Sequence, residues 1–127
     1  MKKENYLVMD PDGSFRWITA DRQSLLQDFY AALDSFCVEC VRISSDGILC
    51  CIVDESGVLN NKRLNPLASR LYAGSAHGAY LFGSVLFVRI GLVDGDLDWL
   101  PLNDFALDYL QYRLGMPIPL APAEDEE

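Results

Sequence analysis

The groups in this sequence able to do chemistry are four cysteines, a spaced run of aspartates, one histidine and one basic loop. Cys37 and Cys40 stand as C-x-x-C, and Cys50 and Cys51 follow as an adjacent pair. Zinc takes tetrahedral thiolate or imidazole ligands, usually offered as two short-spaced pairs from turns. Here the second pair lies inside an apolar run, where successive side chains of a strand point to opposite faces. At most three of the thiols can then converge. A redox C-x-x-C belongs at a helix start, where the dipole lowers the thiol pKa; this one enters strand-like sequence. The cysteines are expected to pack, and neither a metal nor a cofactor is expected.

Asp94-Gly95-Asp96-Leu97-Asp98 imitates the opening of a calcium loop, but the sixth position is Trp99 and the twelfth Phe105. Such a loop needs glycine and a bidentate glutamate there, so a solvated acidic turn is expected. Gly74, Gly78 and Gly83 fit neither a dinucleotide fingerprint nor a P-loop. His77 sits in a small-residue loop with no nucleophile motif around it, which leaves acid–base schemes without a partner. No catalytic residue is assigned. The cluster able to bind is Asn60-Asn61-Lys62-Arg63, with Glu55 before it and Asn65 and Arg70 after it. Glu55, Lys62, Arg63, Asn65 and Arg70 are the candidate binding residues.

These groups need a scaffold, and the apolar pattern supplies one. Residues 48–53 form a continuous apolar run too short for an ordinary helix and rich in β-branched side chains, which predicts a strand buried on both faces. Asp54-Glu55-Ser56-Gly57 is turn chemistry, with Gly57 able to take a positive φ. Val58 and Leu59 then resume the pattern, so a hairpin is expected. Residues 6–9, 14–19 and 37–43 read as strands. Residues 80–92 read as a second buried strand, interrupted at Gly83.

Leu25, Leu26, Phe29, Tyr30, Leu33 and Phe36 recur at helical spacing behind a capping Asp21. Pro66 opens a short helix through residues 67–72. Asn103 caps, and Gly115 stops, a closing helix over residues 104–114, with Leu107, Leu110 and Leu114 inward and Phe105 and Tyr109 widening the stripe. The expected fold is α+β: one mixed, mostly antiparallel sheet of five or six strands with two helices on one face, the runs 48–53 and 84–90 side by side at its centre. Residues 1–115 form one domain, and residues 116–127, alternating proline with small and acidic residues, are expected to be a disordered acidic tail.

The 127 residues carry a net charge of −9, unevenly distributed. From residue 57 to residue 92 there is no acid, while Lys62, Arg63, Arg70 and Arg89 lie there; Asp94, Asp96, Asp98, Asp104 and Asp108 follow with no base among them. The three basic residues of the binding cluster, Lys62, Arg63 and Arg70, are too few for a nucleic-acid footprint in so acidic a chain, so no direct nucleic-acid binding is expected. No apolar run approaches the roughly 20 residues that span a bilayer. No secretory leader is read at the start of the sequence, and a cytoplasmic location is expected.

The central block resembles a family of small uncharacterised proteins from bacterial plasmids, phages and integrated mobile elements, a DUF3846-like domain of unknown function. The resemblance runs from Leu25-Leu26-Gln27 through Val38-Glu39-Cys40-Val41-Arg42-Ile43, the apolar strand, Asp54-Glu55-Ser56-Gly57 and Asn65. It continues through Phe82-Gly83-Ser84-Val85-Leu86-Phe87-Val88 to Leu102-Asn103-Asp104. Glu55, Asn65 and Gly83 are its sharper matches; Pro66 departs from it, standing where a basic residue is usual. It implies the setting of a cytoplasmic accessory protein of a mobile element. The expected role is a small non-enzymatic interaction module for another protein or a second copy of itself. The alternatives are an acidic DNA mimic built on the five aspartates and a small-ligand site at Glu55, Asn65 and Arg70.

Overall fold

The structure is a computed structural model and describes residues 3–72 and 79–123; His77 and its loop lie outside them. Six strands form one sheet: β1 (Lys3–Met9), β2 (Phe15–Asp21), β3 (Val38–Arg42), β4 (Leu49–Asp54), β5 (Val85–Val93) and β6 (Asp96–Leu100). Their order is β2-β1-β5-β4-β3, with β6 also on β5 and every pairing antiparallel. Leu86 pairs with Val8 on one side and Ile52 on the other, while Arg89 pairs with Leu49 and Leu100. Strands β1 and β6 therefore share one edge of β5, end to end. The two apolar runs lie side by side at the centre, and all six residues of β4 are buried.

The α+β class holds, but the helices do not share a face. Helix α1 (Leu25–Leu33) packs Phe29 and Leu33 onto the Tyr6, Val8, Cys50, Ile52, Leu86 and Val88 side of the sheet. Helices α2 (Pro66–Leu71) and α3 (Asp104–Leu114) cover the Leu7, Met9, Cys51, Val53, Val85 and Phe87 side. Two expected helices on one face become three across two, because runs apolar on both faces must be covered twice. Alternate residues of β4 and β5 thus serve different cores.

Helix α1 is shorter than its stripe. Asp21 caps a short 3-10 turn through Gln23 N, and Asp34 ends the helix in a left-handed conformation, φ 51°. Phe36 falls beyond that stop and is 95% exposed. The expected hairpin after β4 does not form either. Residues 55–61 coil through turns, with Gly57 N bonded to Asp54 O, Asn60 N to Ser56 O and Lys62 N to Gly57 O. The Asp54 carboxylate takes Ser56 N and the Asn60 amide, so local side-chain bonding wins over the strand preference of Val58 and Leu59. Gly57 needs no positive φ; it is glycine because a Cβ would sit 3.0 Å from Phe82 O.

The cap of α3 is as predicted, Asn103 accepting from Ala106 N, and Pro66 opens α2 as expected; the cap of α2 is Asn65, read from the sequence as a binding residue, which accepts from Ala68 N. Phe105 does not widen the inward stripe of α3 but is 82% exposed. Residues 80–84 contribute one bridge, Leu64 to Phe82, before β5 begins at Val85. Residues 116–123 are not a loose tail. Ile118 is buried and its N–H donates to Gln111 Oε1, Trp17 Nε1 donates to Pro119 O at 2.9 Å, and Asn5 Nδ2 donates to Pro122 O. Prolines hold this strap extended without needing a sheet ladder. Among the described residues no helix is long and apolar enough to cross a membrane.

Candidate functional site

The buried run of β4 ends on a charge. Asp54 is 6% exposed, and its carboxylate accepts from Ser35 Oγ at 3.0 Å, Ser56 N at 2.9 Å and Asn60 Nδ2 at 2.9 Å. Lys62 Nζ stands 3.0 Å from Oδ2 and also donates to Leu33 O and Asp34 O, the last carbonyls of α1. A cation at that end meets the negative end of the helix dipole. Burial alone pushes the Asp54 pKa up, but the bonds from Asn60, Ser56, Lys62 and Ser35 outweigh it and bring it down to about 2. With every lone pair engaged, this carboxylate joins α1, β4 and the loop after it, and has no capacity left for a substrate.

Asn65 is equally occupied. It is fully buried, donates its amide to Met9 O and Gly83 O, accepts from Ala68 N, and sends its own N–H to Leu81 O. Gly83 closes the same knot. Its φ is 89°, its N–H donates to Arg63 O at 2.7 Å, and a Cβ there would lie 2.8 Å from Lys62 Cδ. The Lys62 side chain thus passes over bare backbone on its way to α1. Two of the sharper resemblance residues, Asn65 and Gly83, are bonded to each other and hold the fold.

The proposed polar cluster of Glu55, Asn65 and Arg70 therefore does not converge, and Lys62 and Asn65 are corrected from binding to structural roles. Glu55 is exposed, accepts from Cys37 Sγ at 3.0 Å and borders a groove of about 130 Å³ with Glu39, Val58, Leu59, Tyr80 and Phe82. Arg70 is exposed and borders a second groove, of about 280 Å³, with Leu64, Pro66 and Tyr80. Tyr80 is common to both. Arg63 is exposed and faces the turn of Asp12, whose pKa it helps to lower after the larger effect of the Ser14 hydrogen bonds. Val58, Leu59, Leu64 and Tyr80, four exposed apolar side chains, make a patch with Glu39 and Glu55 at one rim and Arg70 at the other. Sequence reasoning missed Leu59 and Tyr80 because their apolar pattern was read as strand.

The four thiols do not gather at one site, although Cys40 and Cys50 are neighbours. Cys50 and Cys51 belong to opposite cores. The Glu55 carboxylate raises the Cys37 pKa, and partial desolvation beside the Cys50 thiol raises that of Cys40, although the residue as a whole is exposed. Burial raises Cys50 and Cys51 as well. All four shifts run upward, away from the thiolate that nucleophilic attack uses. Among the described residues no three His, Cys, Asp or Glu side chains form a metal-binding group.

The acidic run is divided too. Asp98 lies 3.3 Å from Arg22, which also binds Glu4 at 2.8 Å, whereas Asp104 and Asp108 border a groove beside Trp17 and the strap. Asp98 is thus ion-paired, while Asp104 and Asp108 meet different neighbours.

A protein-family model described as a domain of unknown function, DUF3846, matches residues 1–114. No curated protein and no solved structure matches.

Proposed function

The chain belongs to the DUF3846 family of domains of unknown function, and from that premise we propose a small non-enzymatic interaction module of a bacterial mobile element, acting in the cytoplasm. One observation carries the reading: Val58, Leu59, Leu64 and Tyr80 are exposed together between acidic and basic rims. Single exposed apolar residues need no explanation, but a contiguous patch inside a polar rim is the anatomy of a docking face. The partner it fits carries an apolar centre between a base and an acid. A second copy meets that demand. Turned about a two-fold axis through Tyr80, it sets Arg70 of one chain against Glu39 and Glu55 of the other.

Light scattering on the purified chain tests this. The native chain is expected to have the mass of a dimer, and Leu59→Lys that of a monomer, at the same melting temperature. A monomeric native chain at about 100 μM rejects the second copy as occupant, since a Kd above that range holds too little binding energy for a working interface. A dimer that survives Leu59→Lys places the contact elsewhere and rejects this face.

A further inference from the structure

At the opposite end of β4 lies a larger cleft, of about 490 Å³, bordered by the β3–β4 turn, Arg89 and Ile90 of β5, and the first turns of α3. That volume lies within the usual range for small-molecule sites. Ile48 on the turn is 51% exposed and Phe105 on α3 is 82% exposed, and both border the cleft with Leu49, Ala106 and Tyr109. The fold gives neither Ile48 nor Phe105 an apolar cover. Among the described residues the one cation lining the cleft is Arg89. Its Nε donates to Pro101 O at 2.7 Å, and its Nη1 lies where a Cβ on Gly91 would be 3.5 Å away. The Pro101 bond holds the guanidinium through Nε, and the group takes part in no salt bridge among the described residues.

Asp46 also borders the cleft, but it is held by its own turn. Its Oδ1 accepts from Ser44 Oγ at 2.5 Å and Ile48 N at 2.9 Å, and the Ser44 bond, the larger effect, lowers its pKa. It braces the wall that carries Ile48 and makes no salt bridge with Arg89.

We propose that this cleft binds a small amphipathic carboxylate, its apolar body between Ile48 and Phe105 and its carboxylate on Arg89. A planar guanidinium is suited to that pairing, because its N–H groups match both carboxylate oxygens. The proposal is independent of the Tyr80 face.

Amide chemical-shift mapping with indole-3-acetate and 4-phenylbutyrate, each beside its neutral amide, tests it. The carboxylates are expected to shift residues 44–48, 89–90 and 103–109 with Kd values below about 1 mM. The amides and the Arg89→Gln variant are expected to bind about tenfold more weakly, as loss of a charge-assisted pair predicts. Phe105→Ser should weaken acid and amide alike. Gln keeps a stem and a donor, and a matching melting temperature shows that the variant folds. Equal binding of acid and amide, shifts confined to other residues, or no shift with either carboxylate overturns the proposal.

Discussion

Asp54 and Asn65 show how much of this fold rests on single polar side chains. The Asp54 pKa is depressed when folded, so its contribution is fully present above the unfolded value of 3.8 and is lost as pH falls toward about 2. Denaturant titrations should therefore show about 2 kcal/mol of stability disappearing across that acid window. In Asp54→Asn the same step should be absent. Removing the carboxylate altogether strands Lys62, which is only 15% exposed, beside the end of α1. Asp54→Ala is expected to cost about 3 kcal/mol in chemical unfolding. For Asn65 the telling comparison is between alanine and aspartate. Asn65→Ala forfeits the cap and leaves Met9 O and Gly83 O without their donor, about 3 kcal/mol together. Asn65→Asp keeps the cap acceptor but turns a carboxylate oxygen toward those two carbonyls, so it should melt no higher than the alanine variant.

At the level of elements, what sequence reveals depends on the range of the forces involved. The caps at Asp21 and Asn103, the proline that opens α2 and the stop at Gly115 were legible because each acts within a few residues of itself, whereas the Asn65 cap was read as a binding group. The strand at residues 49–54 was legible from its apolar run. The loop after it was not, because Val58 and Leu59 carry strand propensity while the carboxylate that coils the chain belongs to Asp54. The role of Lys62 was equally hidden, since its partners Leu33 and Asp34 lie 29 and 28 residues away. Gly83 was read as an interruption, and its reason is the lysine crossing it. Gly83→Ala is expected to lose about 1–2 kcal/mol, from φ strain and displacement of that lysine. Amide exchange at the C-terminal turn of α1 should quicken with it, although α1 is remote in sequence; unchanged exchange there would refute the link.

Across the whole molecule, two cores share one sheet. Which helix covers which face was not readable, because β4 and β5 are apolar on both sides and strand periodicity carries no sign. The cysteines follow the same logic: Cys50 and Cys51 are adjacent in sequence yet separated by the sheet. The patch at Tyr80 and the cleft at Arg89 arise from residues gathered by the topology, and only Arg70 and Glu55 among them were singled out in advance. The strap belongs to this scale as well. Deleting residues 116–127 uncovers Leu107 and Leu114 and frees Trp17, and should lower stability by about 2 kcal/mol through lost burial and one indole hydrogen bond. The β2 edge would remain paired to β1, so circular dichroism in the far ultraviolet should scarcely change.

The two tryptophans divide between those layers. Trp17 holds the strap over one core, while Trp99 stacks on Phe29 at 5.7 Å over the other. Each is thus a native optical probe of a different half of the molecule. With Trp99→Phe, red-shifted emission would signal strap release alone; with Trp17→Phe, it would signal loosening beneath α1. A melt in which the two colours change at different temperatures would show the halves parting company in sequence.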